Sequence, residues 1–296
     1  MGGAMERELG VREARDAASI TAPVNKIIPF SLVDGPGSRC SIFVQGCNIA
    51  CAYCHNPETQ NLCVGCGTCV AQCPAGALSL VDGRVVWDSD ACVQCDTCIH
   101  VCPHKASPKI REMSAREVFD VVHGYQPFIR GVTVSGGECM LRAAWMREFF
   151  TLCKGAGLGT LIDSNGCVDF AQWDDLLEVS DGVMLDVKAW DDGVFRHLTG
   201  AGNDVVKRNL AYLADRDKIQ ELRIVVVPGW NDPEATIAGI AEVLRERVST
   251  TTLKLIKFRP FGVVGELANA ASPSDGRMAE LEALAYAAGF EDVQLR

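Results

Sequence analysis

Three cysteines stand at an uncommon spacing in "QGCNIACAYCHNPE", where Cys47, Cys51 and Cys54 are separated by three and then two residues. Zinc ribbons use paired CxxC motifs and ferredoxins use repeated CxxC motifs, so the triplet fits neither pattern. A [4Fe–4S] cluster is ordinarily held by four thiolates. Three cysteines would leave one iron free to bind a ligand, so the triplet predicts an iron–sulfur centre that binds a substrate directly.

Two regular cysteine runs follow, and each reads C-x2-C-x2-C-x3-C-P. This spacing is typical of bacterial ferredoxins with two [4Fe–4S] clusters, in which the fourth cysteine of each run ligates the other cluster. Tetrahedral zinc is the alternative, but it has no use for the middle cysteine of each run. The predicted ligand sets are Cys63, Cys66, Cys69 and Cys102 for the first cluster, and Cys92, Cys95, Cys98 and Cys73 for the second.

The segment between the two runs, "AGALSLVDGRVVWDSDA", carries two short apolar stretches around Asp82-Gly83. An Asp-Gly pair between such stretches is typical of a tight β-hairpin. A hairpin fits the small sheet of a ferredoxin. We therefore predict a ferredoxin-like insert with two [4Fe–4S] clusters over residues 63–103.

The composition narrows the function classes. With 296 residues, 48% hydrophobic and 22% charged, the chain is expected to fold as one main domain with a small addition. A formal charge of −10 argues against a large phosphate-binding surface, so nucleic acid is not expected as a partner. No apolar run approaches the roughly 18 uncharged residues of a membrane span, so no membrane association is expected.

Fifteen cysteines are too many for inert packing. The N-terminal stretch is charged and lacks a signal-peptide core, so we expect a cytoplasmic protein whose cysteines are metal ligands rather than disulfides. Residues 1–22 are interpreted as a polar tail with helical potential, apart from the fold. Four cysteines without regular spacing are expected to be small core residues: Cys40, Cys139, Cys153 and Cys167.

The elements that position these cysteines are predicted from alternating strand-like and helical patterns. The strands are predicted over Cys40–Gln45, Gly131–Ser135, Thr160–Asp163, Gly182–Val187, Glu221–Val227 and Leu253–Phe258. The helices are predicted over Ser114–Tyr125, Ala143–Ala156, Phe170–Val179, Val205–Ala214, Pro233–Arg247 and Ser274–Ala288. Ser114 and Glu117 form a capping box, and Gly157 stands where the second helix should end. Repeated strand–helix units predict a parallel α/β fold, either an open barrel or a doubly wound sheet.

The unusual motifs all stand at the ends of predicted strands. In chain order they are "GCNIACAYCHN", "SGGEC", "DSNG", "DVK", "PGWND" and "RPFG". Barrels of parallel strands build their active sites at the carboxyl ends of the strands. The coincidence favours a partial (β/α)6 barrel over residues 23–62 and 104–296, interrupted by the insert at 63–103.

The triplet read in full, Cys47-x3-Cys51-Ala52-Tyr53-Cys54, resembles the CxxxCxΦC motif of the radical S-adenosylmethionine (SAM) superfamily, where Φ is aromatic. The resemblance implies a radical SAM barrel in which SAM chelates the free iron through its amino and carboxylate groups. It also implies that one electron cleaves SAM to methionine and a 5′-deoxyadenosyl radical.

Further motifs are similar to those of the activating enzymes of glycyl radical enzymes. They are "VDGPGSR", "QGCN", "YCHNPET", "SGGE", "LIDSNG", "VMLDVK" and "VVVPGWND". The similarity extends from about residue 24 to the C-terminus. The cysteine-rich insert marks a subgroup, and "KIIPFSLVDGPGSR" together with "VVWDSDACVQCDTC" is most similar to the YjjW type.

The resemblance implies roles for individual residues. The catalytic set is Cys47, Cys51, Cys54, Lys188 and Arg223. The SAM contacts are Tyr53, Cys54, His55, Gly136, Gly137, Glu138, Asp186, Lys188 and Arg259. Arg259 stands where relatives carry a histidine, which leaves its role open, and His55 could instead pack within its loop.

The residue types agree with several of these roles. Gly136 and Gly137 let the backbone approach a ligand closely, although they could also serve only the βα turn. The strand period of two points Met184, Asp186 and Lys188 to one face. An aspartate and a lysine among apolar residues must be paired or ligand-bound.

A monovalent cation beside the SAM carboxylate is a further implication of the resemblance. Its expected ligands are Asp163, Ser164, Asp186 and the main-chain carbonyl of Met184, with serine in place of the family's threonine. A hard cation suits such oxygen ligands. Asp163 could equally cap a turn.

Arg223 alternates with Val225 and Val227, which directs its charge toward the barrel interior. A buried guanidinium needs an acidic partner, and the resemblance makes Asp34 the candidate. The alternative is an exposed arginine on a frayed strand.

The predicted function is that of a glycyl-radical-enzyme activase, an oxidoreductase that abstracts a hydrogen atom from a glycine Cα of a partner protein. The expected partners are a glycyl radical enzyme, of YjjI type for this subgroup, and a flavodoxin or ferredoxin-type electron donor. Expected cofactors are three [4Fe–4S] clusters, SAM and the cation. A radical SAM enzyme acting on a small molecule or peptide is one alternative. A ferredoxin-like electron carrier is another, but it would leave the triplet and "SGGE" without a role.

Overall fold

The computed structural model describes residues 20–296. Its strands are β1 (Thr21–Ser31), β2 (Arg39–Val44), β3 (Leu78–Val81), β4 (Arg84–Trp87), β5 (Arg111–Ser114), β6 (Gly131–Gly136), β7 (Gly159–Ser164), β8 (Gly182–Asp186), β9 (Ile219–Val226), β10 (Thr252–Lys257) and β11 (Asp292–Leu295). The tail predicted over residues 1–22 lies mostly outside the described residues, and its last two residues belong to β1. Each of the six predicted strands is present, with its ends within about two residues of the prediction.

Nine of these strands form one sheet in the order β11-β10-β9-β8-β7-β6-β2-β1-β5. The strands from β2 to β11 in this sheet pair in parallel. At the other end, β1 pairs antiparallel with both β2 and β5. The remaining strands, β3 and β4, form a separate hairpin in the cysteine-rich insert.

The strand order decides between the two predicted architectures. A doubly wound sheet reverses its strand order at a switch point, which puts helices on both faces. Here β2, β6, β7, β8, β9, β10 and β11 are neighbours in chain order without a reversal. Right-handed crossovers then place the helices on one face, so the sheet curls around its other face. In the described residues the end strands β5 and β11 do not pair with each other, so the barrel is partial.

The helices are α1 (Thr97–His100), α2 (Ala115–His123), α3 (Ala143–Gly155), α4 (Asp174–Glu178), α5 (Asp192–Thr199), α6 (Asp204–Asp215), α7 (Pro233–Leu244) and α8 (Asp275–Ala287). The capping box predicted at α2 is present, because Ser114 accepts from the Glu117 amide and the Glu117 side chain accepts from the Ser114 amide. Two predictions were too long. The helix predicted over Phe170–Val179 breaks at Trp173, and α7 ends at Leu244 before a 3-10 turn.

The core lies between the helices and the outer face of the sheet. Helix α3 contributes the largest buried side chains, since Trp145, Phe149 and Phe150 are fully buried. Cys40 and Cys153 are buried in the same cluster, as predicted for small core residues. Among the described helices, none combines the length and apolar character needed to cross a lipid bilayer.

The predicted hairpin in the insert is confirmed. Asp82 and Gly83 connect β3 and β4, with φ of 48° and 75° respectively. Two consecutive positive φ values are the geometry of a type I′ turn, which Asp-Gly favours. The hairpin therefore lies between the two cysteine runs.

Candidate active site at the barrel mouth

The loop Cys47–Cys54 follows β2 and is fixed by backbone hydrogen bonds. The Ala50 amide donates to the Thr199 carbonyl (2.8 Å), and the Ala52 amide donates to the Leu198 carbonyl (2.9 Å). Both acceptors lie at the C-terminal end of α5. The cysteine triplet is therefore held by barrel elements that lie far from it in the sequence.

A cavity that is open to solvent on one side lies at the carboxyl ends of the parallel strands. All three triplet cysteines line it, so the structure brings them together at the mouth of the barrel. The other predicted site residues that line it are Tyr53, His55, Gly136, Gly137, Asp163, Ser164, Asp186, Lys188 and Arg223.

Three predicted site residues do not line this cavity. Met184 is fully buried beneath it, with its sulfur 3.0 Å from Arg223 Nη2. Arg259 is exposed, and its backbone carbonyl accepts a hydrogen bond from His55 Nε2 (2.9 Å). Glu138 lies behind the wall, 1% exposed.

Glu138 organises the loop that follows β7. Its carboxylate accepts from Ser164 Oγ (2.9 Å), the Asn165 amide (2.8 Å) and the Met140 amide (3.0 Å). Burial raises the pKa of Glu138 to about 7, although these donors oppose the shift. The structure thus makes Glu138 a positioning residue for Ser164 and Asn165.

The two glycines of "SGGE" are required by backbone crowding. A Cβ on Gly136, whose φ is 119°, would lie 2.2 Å from the Val44 carbonyl oxygen. A Cβ on Gly137 would lie 2.2 Å from the Gly46 carbonyl oxygen. No side chain fits at either position, because these atoms belong to the backbone. The glycines therefore pack the end of β6 against β2, and they also form part of the cavity wall.

Arg223 lies inside the barrel, 11% exposed, as its alternation predicted. Its predicted partner was wrong. Nη1 pairs with Asp163 Oδ1 (2.9 Å) and Nε pairs with Glu221 Oε1 (2.6 Å). The carboxylate of Asp34 instead accepts from Ser41 Oγ (2.7 Å).

Glu221 joins a second cation to this network, since Lys254 Nζ lies 2.5 Å from Glu221 Oε2. Burial lowers the pKa of Arg223, but the charges of Asp163 and Glu221 outweigh it and hold that pKa above its ordinary value. Burial raises the pKa of Asp163, and the charge of Arg223 opposes this. Glu221 and Lys254 were missed from the sequence, although Glu221 shares the inward parity of Arg223.

Lys188 and Asp186 pair at the floor of the cavity, with Nζ 2.8 Å from Oδ2. Lys188 Nζ also lies 5.5 Å from the centroid of the Tyr53 ring, within cation–π distance. Burial lowers the pKa of Lys188, but the negative charge of Asp186 raises it well above its ordinary value. The pair therefore places an ammonium group and a carboxyl group beside the triplet.

Burial raises the pKa of Cys51 to about 12 and also raises the pKa values of Cys47 and Cys54. Thiols in such surroundings stay protonated at neutral pH. A bound metal reverses this, because a coordinating thiol loses its proton to the charge of the ion. The donor set at this site, three thiols around one cavity, thus suits a metal cluster.

Residues 41–238 match the family model of the Radical SAM superfamily. The chain belongs to the radical SAM superfamily.

Curated relatives place this radical SAM chain among the glycyl-radical-enzyme activating enzymes. It is 31% identical over 265 residues to the choline trimethylamine-lyase activating enzyme of Oleidesulfovibrio alaskensis, covering 82% of this chain and 84% of that protein. It is 29% identical over 250 residues to the pyruvate formate-lyase 1-activating enzyme of Escherichia coli K12, covering 82% and 83%. Membership implies SAM and a [4Fe–4S] cluster as cofactors.

A solved structure supports the fold. Streptococcus suis SuiB bound to S-adenosylmethionine superposes with a TM-score of 0.52 at 13% identity, covering 85% of this chain and 48% of that chain. At this level of identity the match concerns the barrel fold only.

The predicted cation ligands of the radical SAM barrel lie on neighbouring strands, and Asp163 is in register with Met184. Both carboxylate oxygens of Asp163 already have partners: Oδ1 binds Arg223, and Oδ2 accepts from Ser135 Oγ (2.9 Å). The Ser164 hydroxyl donates to Glu138 and accepts from the Gly166 amide. These oxygens are therefore engaged within the protein.

The insert brings its cysteines together around two separate cavities. One cavity is lined by Cys63, Cys66, Cys69 and Cys102. The other is lined by Cys92, Cys95, Cys98 and Cys73. We call these the first and the second insert cavity. Each contains three cysteines of one run and the last cysteine of the other.

Proposed function

We propose that this chain is a glycyl-radical-enzyme activase whose barrel mouth holds one [4Fe–4S] cluster and SAM. The observation that carries the proposal is that Cys47, Cys51 and Cys54 line one cavity at the barrel mouth together with paired charges. When bound, the cluster supplies one electron and SAM supplies the 5′-deoxyadenosyl group that takes a hydrogen atom from a glycine Cα.

The charges at the mouth suit a zwitterionic ligand. Lys188 and Arg223 provide positive charge, and Asp163 and Asp186 provide negative charge, all along one cavity. The amino group and carboxylate of the methionyl part of SAM are complementary to such a set. The pairs already formed between these residues hold them in place before the ligand binds.

The wall beside the triplet is apolar and rigid. Tyr53 is buried in a cluster with Leu198, Val227 and Phe258. The His55 ring stacks on Phe258 with centroids 6.3 Å apart and is fixed by its hydrogen bond to the Arg259 carbonyl. These contacts give one side of the cavity a defined shape.

The proposed substrate is a protein loop. The mouth is open to solvent, and a radical must be kept from water and oxygen while it exists. A glycine loop of a partner enzyme that fills the mouth would provide this closure. For the YjjW-type subgroup we propose a glycyl radical enzyme of the YjjI type as partner.

We further propose that residues 63–103 form a ferredoxin-like domain with two more [4Fe–4S] clusters, flanked by barrel segments 23–62 and 104–296. Four cysteines around each insert cavity support this. The clusters would relay electrons from a flavodoxin or ferredoxin-type donor or help dock a partner. The monovalent cation stays a prediction, since Asp163 has no unbonded carboxylate oxygen among the described residues.

The test is anaerobic reconstitution of the full chain. We expect about twelve irons per chain, reductive cleavage of SAM, and the electron paramagnetic resonance (EPR) doublet of a glycyl radical on a co-incubated glycyl radical enzyme. Cys51→Ala should abolish SAM cleavage and leave about eight irons. Cys167→Ala is the matched control, because Cys167 lies near the mouth but does not line the cavity.

Two outcomes would contradict the proposal. SAM cleavage by Cys51→Ala at the wild-type rate would remove the triplet from the chemistry. SAM cleavage without a glycyl radical on any glycyl radical enzyme tested, but with a modified small molecule or peptide, would favour the alternative radical SAM reaction.

A further inference from the structure

The two cysteine runs of the insert repeat each other in backbone conformation but differ in side chains. In the first run Gly65 and Gly67 have φ of 71° and 75°. At the equivalent positions of the second run, Gln94 and Asp96 have φ of 54° and 58°. The left-handed region costs a non-glycine residue roughly 1 kcal/mol or more. The second run therefore carries strain that the first run avoids with glycine.

The two strained side chains have a common partner. Lys109 Nζ donates to Gln94 Oε1 (3.3 Å) and pairs with the carboxylate of Asp96. Lys109 also lines the second insert cavity. A strained residue persists only where its surroundings stabilise it. Here Gln94 and Asp96 together hold the ammonium group of Lys109 beside the cysteines.

The charge that faces the second insert cavity is mainly that of Lys109. Its side chain is 13% exposed, whereas that of Asp96 is 50% exposed. Water screens the carboxylate more than the ammonium, although both residues line the cavity. The field inside the cavity is therefore more positive than a fully compensated ion pair would give.

Trp87, which also lines this cavity, carries a hydrogen-bond donor that has no partner among the described residues. This donor, the indole Nε1, is buried. Trp87 lines the second insert cavity, while Val85, on the same face of β4, lines the first. A buried N–H without an acceptor costs about 1–3 kcal/mol, which cluster sulfur could offset.

The first insert cavity has neither feature. Its lining contains no lysine, arginine or carboxylate among the described residues. The hydroxyl of Thr68 lies 3.4 Å from Cys66 Sγ, and Thr97 lies 3.3 Å from Cys95 Sγ, so this contact is common to both runs. The charged and hydrogen-bonding groups that distinguish the second cavity are thus Lys109 with its partner Asp96, and Trp87, whereas the first cavity has only the exposed His104.

We propose that Lys109 and Trp87 set the two insert clusters at different reduction potentials, with the higher potential at Cys73, Cys92, Cys95 and Cys98. This inference rests on the proposed function, because it requires clusters in both cavities. Reduction adds one electron from a low-potential donor and transfers no atom. A nearby ammonium and an N–H donor stabilise the more negative, reduced state. An electron that enters the insert therefore settles at the second cavity.

The experiment is an EPR redox titration of full-length protein carrying Cys51→Ala, which leaves only the insert clusters to be titrated. We expect two separate midpoint potentials. Adding Lys109→Met should lower only the higher midpoint potential. The ratio of reduced to oxidised cluster at a fixed potential should fall about tenfold, which corresponds to a shift of about 59 mV for one electron. Trp87→Phe should produce a smaller shift in the same direction.

Two controls isolate the charge. Lys109→Arg keeps a cation and should keep the upper potential. Lys105→Met removes an exposed lysine that lines neither insert cavity and should change neither potential. Iron content of about eight per chain must accompany each titration.

The outcomes separate the two proposals. An iron content near zero in the Cys51→Ala protein would overturn the proposed insert clusters themselves. Two results would overturn the proposed difference in potential while leaving the clusters in place. One is a single midpoint potential in protein with about eight irons per chain. The other is a higher potential that Lys109→Met leaves unchanged.

Discussion

The barrel mouth and the insert hold their cysteines by different means. The mouth cysteines sit on a loop bonded to α5 and packed against buried Tyr53, Leu198 and Phe258. The insert has a much smaller core of its own, formed by Cys69, Leu78 and Cys98. Two of these three residues are predicted cluster ligands.

The difference concerns what stabilises each site. The mouth is preorganised by the barrel, since its loop, glycines and ion pairs are held by elements far apart in the chain. The insert has too few buried apolar side chains to fold independently, as is typical of small domains that depend on a metal. We infer that the barrel shapes its site before the cluster binds, whereas the insert would need its two proposed clusters to fold.

Iron removal should give the largest effect. In iron-free protein, hydrogen exchange should lose protection throughout the β3–β4 hairpin, because metal binding supplies the folding free energy of such domains. The amides of β6, β7 and β8 should keep their protection within about threefold. Mass-spectrometric hydrogen exchange on the loaded and iron-free chain measures both. Equal loss in hairpin and barrel would contradict the distinction drawn here.

Removing one buried charge should destabilise the barrel next most strongly. Glu221 is 4% exposed and serves both Arg223 and Lys254. Glu221→Gln should lower the free energy of unfolding by about 4 kcal/mol, because two buried cations lose their shared partner. Urea denaturation of the iron-loaded protein measures this loss.

The matched control is Asp275→Asn, which removes a 98% exposed partner of Lys257. Surface pairs of this kind contribute little, because water screens both charges. A loss below about 1 kcal/mol for Glu221→Gln as well would show that the interior network is not a preorganising element.

The parallel strands were predictable because buried strands read as apolar runs between helices. Strand β1 was missed for a physical reason. Its sequence, "TAPVNKIIPFS", contains two prolines and no regular alternation, and its pairing with β2 is interrupted by two register shifts. Although β1 lies between β2 and β5, its pairs with β5 cover only Thr21–Val24. Prolines and bulges interrupt regular pairing and hide such a strand from pattern analysis.

The site shows the same limit. Alternation along β9 oriented Arg223 correctly, but the sequence could not show that Asp163, two strands away, lies opposite it. Sheet register and the distance between strands decide that contact. By contrast, the position of Cys73 and Cys102, each at the cavity of the other cysteine run, was predictable. It follows from the spacing within a repeated motif.

The pKa of Glu138 predicts a pH dependence in the barrel. Its pKa is about 7 when folded, against 4.5 as the ordinary value. Between these pH values the folded state holds a proton that the unfolded state releases, so stability falls as pH rises through the window. Glu138→Gln removes this dependence. The stability of the variant relative to wild type should therefore rise by about 3 kcal/mol from pH 4.5 to pH 7.5.

Urea denaturation of iron-free protein across this range, followed by barrel tryptophan fluorescence, measures the difference. The control is Glu117→Gln, since hydrogen bonds donated by Ser114 lower the pKa of Glu117, the opposite direction to the shift of Glu138. Its stability difference should stay flat. Parallel curves for wild type and Glu138→Gln would show that Glu138 is ionised throughout.

The smallest effect is expected where an insert ligand is removed and the reductant is a strong chemical one. Cys95→Ala should lower SAM cleavage with a protein donor about tenfold, but with the chemical reductant by less than about threefold.

The reason lies where the loop that carries the triplet begins and ends. The Gly46 amide donates to the Thr59 carbonyl and the Cys47 amide donates to the Gln60 carbonyl, both at 2.8 Å. These bonds close the loop that carries the triplet before the insert begins. Loss of insert structure should therefore leave the triplet in place. The control is the iron content: Cys95→Ala should retain about four more irons per chain than the double variant Cys51→Ala/Cys95→Ala. Equal losses with both reductants, in protein shown to keep that iron, would mean that the insert takes part in the barrel's own chemistry.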